Sequence, residues 1–246
     1  MEEHYGARFF GEREAAVYDD HLAGMFDAAV VTPIVAMLAD LAGQGRALEF
    51  GIGTGRIALP LAKRGVRVQG IDASEAMVAR LRAKPGGKEI DVTIGDFSTT
   101  RVEGQFSLVY LVFNTIFNLI TQDEQVACFQ NAAGHLDAGG RFVVELTVPE
   151  LQLLPPGQTI NVIGVDARAM SFDVYDVVTQ RLTSHHFVMS EERFSSYPVE
   201  GRYAWPSELD LMARLAGLRL RDRCGGWQRE PFTSLSRSHV SVYEKP

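Results

Sequence analysis

The sequence predicts an α/β fold: a doubly wound, mostly parallel seven-stranded sheet with an antiparallel β insertion after the fifth strand. Three observations carry that prediction. Strand-like runs alternate with helical stretches from Arg46 to Val148, the rhythm of βαβ units and a parallel sheet. The run Leu108-Val109-Tyr110-Leu111-Val112 is apolar without alternation, as a strand covered on both faces should be. From Met170 onward, consecutive strand-like segments are joined by short polar stretches, the pattern of an antiparallel meander.

In chain order, Glu12 to Leu41 reads as helical, with Val30, Ile34, Val35 and Leu38 on one stripe and Pro33 opening a second helix. Arg46 to Phe50 is the first strand, followed by a glycine-rich turn and a helix from Arg56 to Lys63. Val66 to Ile71 is the second strand, and Ser74 caps a helix reaching Ala83. Ile90 to Ile94 and Phe106 to Val112 are the third and fourth strands. A helix over Asp123 to Leu136 then leads through the turn Ala138-Gly139-Gly140 to the strand Arg141 to Val148. The meander comprises Met170 to Val178, Arg181 to Met189 and Phe194 to Tyr203. A helix over Ser207 to Leu215 and two strands, Leu218 to Arg223 and His239 to Glu244, close the sheet. Residues 1–150 are therefore expected to form a cofactor-binding part with a helical cap. Residues 151–205 form the insertion, as a lid or substrate platform, and residues 206–246 complete the sheet.

The 246 residues carry a net charge of -7, and no run of Lys or Arg is long enough to follow a phosphate backbone, so no nucleic-acid partner is expected. The longest apolar run, Leu108 to Ile120, is shorter than the roughly 20 residues a bilayer requires. Cys128 and Cys224 lack Cys-x-x-Cys spacing and read as reduced thiols. With no apolar leader near the N-terminus, the expectation is a cytoplasmic, soluble protein, monomeric or homodimeric.

The segment Glu49-Phe50-Gly51-Ile52-Gly53-Thr54-Gly55-Arg56 joins the first strand to its helix, where open α/β sheets bind ligands. A dinucleotide fingerprint, Gly-x-Gly-x-x-Gly, would require glycine at position 56, which is Arg56. This counts against the alternative of a nicotinamide-dependent oxidoreductase. The observed spacing is Gly-x-Gly-x-Gly, with Glu49 two positions ahead.

With these residues the sequence resembles the class I S-adenosylmethionine-dependent methyltransferase family, whose sheet is Rossmann-like. The glycine segment is similar to the family's first motif, and Gly51, Gly53, Gly55 and Glu49 would line the cofactor. Ile71-Asp72-Ala73-Ser74-Glu75-Ala76-Met77 is similar to the second, which implies Asp72 on the ribose hydroxyls beside Ala73 and Met77. Ile94-Gly95-Asp96-Phe97 is similar to the third, which implies Asp96 on the adenine amino group and Phe97 against the ring. Leu111-Val112-Phe113-Asn114 is similar to the fourth and implies Val112, Phe113 and Asn114 near the methionine part. Tyr18 would fold over the cofactor. The resemblance covers residues 14 to 150 well and the remainder in outline.

The strands after the fifth resemble the small-molecule branch, including amino-sugar N-methyltransferases and glycine N-methyltransferase-like enzymes. The implied cofactor is S-adenosyl-L-methionine, leaving S-adenosyl-L-homocysteine, and the implied partner is a small N or O nucleophile. In the amino-sugar group a His stands where this chain has Asn118, and Asn is no base near neutral pH. Candidates for a catalytic role are Asn118 and the adjacent His185 and His186, of which a strand turns at most one into the cleft. No metal site is expected. Phe117, Tyr197, Arg202, Tyr203, Trp205, Trp227 and Arg229 are candidates for the acceptor pocket. A cofactor-binding protein without catalysis is the remaining alternative.

Overall fold

The computed structural model describes residues 11–166, 168–189 and 194–246. Its main sheet contains β1 (Arg46–Phe50), β2 (Arg67–Asp72), β3 (Asp91–Ile94), β4 (Phe106–Leu111), β5 (Leu136–Thr147), β10 (Arg219–Cys224) and β11 (Ser238–Glu244). Their order is β3-β2-β1-β4-β5-β11-β10. The first five are parallel, and β11 runs antiparallel to both β5 and β10. The order reverses between β1 and β4, which opens a crevice at their C-terminal ends.

Helices cover both faces. On one, Leu48, Phe50, Val109, Leu111, Phe142 and Leu146 pack against α5 (Gln122–His135) and α6 (Pro206–Leu215). On the other, Ala47, Leu108, Tyr110 and Val143 pack against α2 (Ala28–Ala42) and α3 (Ala58–Lys63). Successive residues of β4 thus point into different cores, which explains its unbroken apolar run. α1 (Glu12–His21) and α4 (Glu75–Ala83) complete the helices. Ser74 caps α4 by accepting from Met77 N–H at 3.1 Å. α5 begins with a full capping box, Thr121 with Glu124.

Three boundaries differ from expectation. Pro33 lies inside α2, which starts five residues earlier with Asp27 at its N-cap. The helix tolerates the missing N–H because its flanks bury Val31, Ile34 and Val35. α3 begins at Ala58 rather than Arg56, so Arg56 belongs to the loop. Gly139, at φ 75°, forms a bulge within β5 instead of a turn before it.

A second, four-stranded antiparallel sheet follows β5: β6 (Ile160–Val165), β7 (Ala169–Asp176), β8 (Arg181–Met189) and β9 (Phe194–Arg202), paired in sequence order. β6 had no expectation attached; a register irregularity between Val162 and Gly164 breaks its alternation. Among the described residues no helix is long and apolar enough to cross a membrane. Cys128 and Cys224 are free and buried.

Candidate active site

The glycine loop is held to the second strand by backbone bonds from Gly51 N–H and Ile52 N–H to the Ile71 carbonyl, at 2.8 and 3.2 Å. Gly51, Gly53 and Gly55 all have positive φ (69°, 56° and 80°), the region side chains disfavour. The three glycines serve different ends. A Cβ at Gly51 would lie 2.6 Å from Thr115 Cγ2, and one at Gly55 would lie 2.2 Å from Leu81 Cδ1. At Gly53 the nearest such contact is Met77 Cε at 3.5 Å, so the loop is open there. Gly55 thus makes room for the packing of α4 against the loop.

Asp72 closes β2 with its carboxylate turned to the loop. Its Oδ2 accepts from Gly53 N–H at 2.6 Å and its Oδ1 from Ser74 N–H at 2.8 Å. An ionised carboxylate offers about four acceptor positions, so a position on each oxygen remains for a hydroxyl. Burial raises the Asp72 pKa, opposed by the two N–H donors. Ala73 is half-buried beside it, and Met77 is buried beneath the loop. The next strand end is tied on by Gly95 N–H to the Asp72 carbonyl, 2.9 Å. There Asp96 Oδ1 accepts from Ser98 N–H at 2.7 Å. Phe97 departs from expectation: its ring is buried and stacks on Phe50 (5.9 Å, 28°), inside the core.

Between these strand ends and α1 lies a cavity of about 340 Å³, counted with its open mouth, lined by Tyr18, Glu49, Gly53, Arg56, Val112, Phe113 and Thr115 among others. α1 is fastened over the loop by Asp19, which accepts from Thr54 Oγ1 at 2.6 Å and pairs with Lys84 at 2.5 Å. This puts Tyr18 at the cavity, and burial raises its pKa. Glu49 is 3% exposed and accepts from Tyr110 Oη at 2.9 Å. Burial pushes its pKa up to about 8, despite the Tyr110 bond and the Arg56 charge, which pull it down. Arg56 had entered only as a glycine that was missing. It donates to the Met25 carbonyl at 3.3 Å, and its guanidinium lies 4.7 Å from the centre of the Phe113 ring.

After β4 the chain makes an unusual turn, with Phe113 and Asn114 both left-handed at φ 58° and 57°. Two bonds from β5 hold it. Phe113 N–H donates to Glu145 Oε2 at 2.8 Å, and Asn114 Oδ1 accepts from Thr147 N–H at 2.7 Å. Glu145 also accepts from the Trp227 indole at 2.7 Å, tying the last loop to the same turn. Sequence reasoning missed Glu145. Trp227 thus stands beside the cavity wall without lining the cavity.

The remaining acceptor candidates separate. Phe117 and the half-buried Asn118 sit on the 3-10 turn Thr115–Asn118, against β9. Arg202 is 4% exposed and bonded to Gln125, Gln180 and Glu208, so it braces α5 and α6 rather than a pocket. Tyr203 is buried edge-on against Tyr175 and Trp205, and Trp205 is the N-cap position of α6. Arg229 pairs with Asp40 of α2 on the surface, away from the cavity. The Tyr197 side chain lies outside the described residues. His185 stacks on Phe172 (5.0 Å) on one face of the second sheet, while His186 contacts Ser184 Oγ at 3.1 Å on the other.

A family model for a methyltransferase domain matches residues 47–140, the span from β1 through the glycines of β5. The structure is similar to the CcbJ methyltransferase from Streptomyces caelestis, with a TM-score of 0.79 and 39% identity over 87% of this chain and 88% of that one. The chain belongs to the S-adenosylmethionine-dependent methyltransferases. A curated relative, a cypemycin N-terminal methyltransferase from a Streptomyces species, is 27% identical over 94% of this chain and 99% of its own length. An S-adenosylmethionine-bound amino pentose methyltransferase from Micromonospora echinaspora shares the fold at a TM-score of 0.71 and 21% identity, over 94% of this chain and 97% of that one. Membership of this methyltransferase family removes the oxidoreductase alternative. The donor group fits the residues present: Asp72 has acceptor capacity left beside an open glycine, and the cavity adjoining that glycine brings the Tyr18 and Phe113 rings and the Glu49 carboxyl together, groups that can face a sulfonium.

Proposed function

We propose that this methyltransferase transfers its methyl group to a nitrogen of a small molecule, by in-line displacement driven mainly by positioning. The observation that carries the donor half is Asp72, held at the end of β2 by Gly53 and Ser74 with acceptor positions to spare beside the glycine loop. Bound S-adenosylmethionine supplies an electrophilic methyl on a cationic sulfur. The chain's own residues do the rest. In this reading Asp72 takes ribose hydroxyls and Asp96 the adenine amino group. Tyr18, Glu49, Val112 and Phe113 enclose the charged end and exclude water. Phe117 and Asn118 border the acceptor on the turn after β4.

Nitrogen rather than oxygen is supported by the relative named a cypemycin N-terminal methyltransferase. In this reading a small acceptor enters beside the turn after β4, where Gly201 of β9 approaches Phe117. Calorimetry with S-adenosylhomocysteine, followed by a labelled-methyl screen over amines, phenols and sugar nucleotides, tests the reading. Donor binding with label on amines is expected. Loss of binding refutes the site, and label confined to phenols refutes the choice of nitrogen.

A further inference from the structure

The turn that carries Asp96 is gripped from below by α5. The segment from Gly95 to Val102 opens the connection between β3 and β4 as turns and irregular backbone, so its polar groups must find partners outside a ladder. Some are internal. Ser98 N–H donates to Asp96 Oδ1 at 2.7 Å, and Thr99 and Thr100 N–H donate to the Asp96 carbonyl at 3.1 and 2.7 Å. Three more are on α5. Asn131 Nδ2 donates to the Phe97 carbonyl at 2.8 Å and to the Thr100 carbonyl at 2.9 Å. Val102 N–H donates to His135 Nε2 at 3.0 Å. The helix thus holds the chain just after Asp96, while the bond from Gly95 N–H to the Asp72 carbonyl, 2.9 Å, holds it just before. The half-buried Asp96 carboxylate is fixed between the two anchors. Its charge is felt one turn down the helix, where the buried Cys128 thiol has its pKa raised by burial and further by Asp96.

Both anchoring side chains on α5 are 2% exposed. The Asn131 amide can face only one way, because its two partners are carbonyls and carbonyls only accept. Its Oδ1 is then left buried with no hydrogen-bond partner among the described residues. An apolar side chain would fill the same place without that penalty, so the amide's contribution is its pair of bonds to the Asp96 turn. The Val102 N–H likewise fixes the His135 ring. Nε2 must accept, so Nδ1 carries the proton and donates to the Asn131 carbonyl at 2.8 Å. Burial lowers the His135 pKa against the pull of that carbonyl, and the Arg101 charge lowers it too, which keeps the ring in the neutral form the bond requires. Asn131 and His135 form one bonded unit under the turn.

We propose that Asn131, supported by His135, is a positioning residue for adenine recognition: it sets the Asp96 carboxylate where the amino group of the donor's adenine can donate to it, and so sets the preference for that base. The inference rests on the reading of Asp96 as the partner of that amino group. Such a bond needs an acceptor oxygen at about 2.9 Å and nearly in line. A carboxylate on a loosely held turn meets that condition only part of the time, and the ordering of the turn is then lost from the binding energy. In this reading Asn131 touches neither donor nor acceptor and acts only through the turn.

The test compares two ligands on the full chain by calorimetry: S-adenosylhomocysteine, and its 6-deamino analogue with hydrogen in place of the adenine amino group. The wild type should prefer S-adenosylhomocysteine by roughly 10- to 100-fold, the worth of one hydrogen bond to a charged group. Asn131→Ala should remove most of that preference by weakening S-adenosylhomocysteine alone. Unchanged affinity for the analogue shows that the variant folds and that the rest of the donor site is intact, a split that a merely structural role would not produce. In an Asp96→Ala background, Asn131→Ala should cost nothing further. His135→Ala frees the Val102 N–H but keeps both Asn131 bonds, and should narrow the preference less. Equal weakening of both ligands by Asn131→Ala, an untouched preference, or a full further loss in the Asp96→Ala background overturns the proposal while the reading of Asp96 stands. Should Asn131→Ala not fold, an unchanged preference in His135→Ala is the overturning result. A wild type that does not distinguish the ligands, or an Asp96→Ala variant that still does, overturns the reading of Asp96 and the proposal with it.

Discussion

In the proposed donor site, Glu49 on the cavity wall would make donor binding a proton-linked event. With a pKa of about 8, its carboxyl is ionised in roughly one molecule in ten at pH 7. Ionising it there costs about 1.4 kcal/mol. A sulfonium within roughly 6 Å would return about 3 kcal/mol at an effective dielectric constant of about 20. The balance favours ionisation, so binding S-adenosylmethionine at pH 7 should release close to one proton from Glu49. S-adenosylhomocysteine lacks the sulfonium charge and should release fewer. Both ligands carry an α-amino group that titrates in this range, so the difference between them isolates the carboxyl. Calorimetry at pH 7 in phosphate and in Tris buffers gives the proton count from the difference in apparent enthalpy. The excess for S-adenosylmethionine should vanish by about pH 9 and be absent in Glu49→Gln. Equal release by the two ligands, or an excess that survives in Glu49→Gln, would refute the reasoning. The same shift has a stability consequence. Between the ordinary value of 4.5 and about 8 the native state binds more protons at Glu49 than the unfolded state does. This group's contribution to stability therefore falls as pH rises through that window, and Glu49→Gln should flatten the fall in the free enzyme's Tm.

Three further substitutions probe the frame around the cavity. Asp72→Asn replaces an acceptor oxygen with an amide facing the Gly53 or Ser74 N–H, and should weaken S-adenosylhomocysteine binding by roughly 10- to 100-fold, at about 1.5–3 kcal/mol for a charged hydrogen bond. Unchanged calorimetric affinity would remove Asp72 from the donor site. Glu145→Gln leaves one amide oxygen to serve both Phe113 N–H and the Trp227 indole, so it should lower stability by about 1–3 kcal/mol and alter Trp227 fluorescence. An unaltered emission spectrum and Tm would mean the clamp does not hold in solution. Arg202→Met removes the cation beside Glu208, which keeps its bonds from Gln122 and Gln180, and leaves the buried Gln125 Oε1 without its donor, so it should cost about 1–3 kcal/mol in denaturant melts, with donor affinity intact. A turnover defect at unchanged stability would instead return Arg202 to the acceptor pocket.

The proposed donor half of the site is legible in the sequence because its parts are local. Gly53, Asp72 and Asp96 each sit in the turn that ends a strand, and the parallel sheet brings consecutive strand ends together without further information. Local reading fails where a residue's neighbour in sequence hides its neighbour in space. Phe97 follows the acid of its motif yet packs on Phe50, and Arg202 and Tyr203 follow the meander yet brace α5 and α6. Composition says that such residues are large or polar; only burial says which way they turn.

The acceptor half depends on register, which short motifs do not encode. Adjacent His185 and His186 must point to opposite faces of β8, but the choice of inner face is made by Tyr175, Gly201 and Asn161 on other strands. The turn after β4 shows the same dependence. Two non-glycine residues with positive φ cost of order 1–3 kcal/mol each, and local sequence explains only the tolerance of Asn114 for that conformation. The bonds that hold the turn come from Glu145 and Thr147, on a strand about thirty residues away by chain position. The strain lies at the cavity edge, where Phe113 lines the cavity and the following turn meets Gly201 of β9. A chain could keep the glycine loop and Asp72 while changing Glu145 or the register of β7 and β8. It would then bind the same donor and methylate something else, which is why the motifs report the cofactor and not the acceptor.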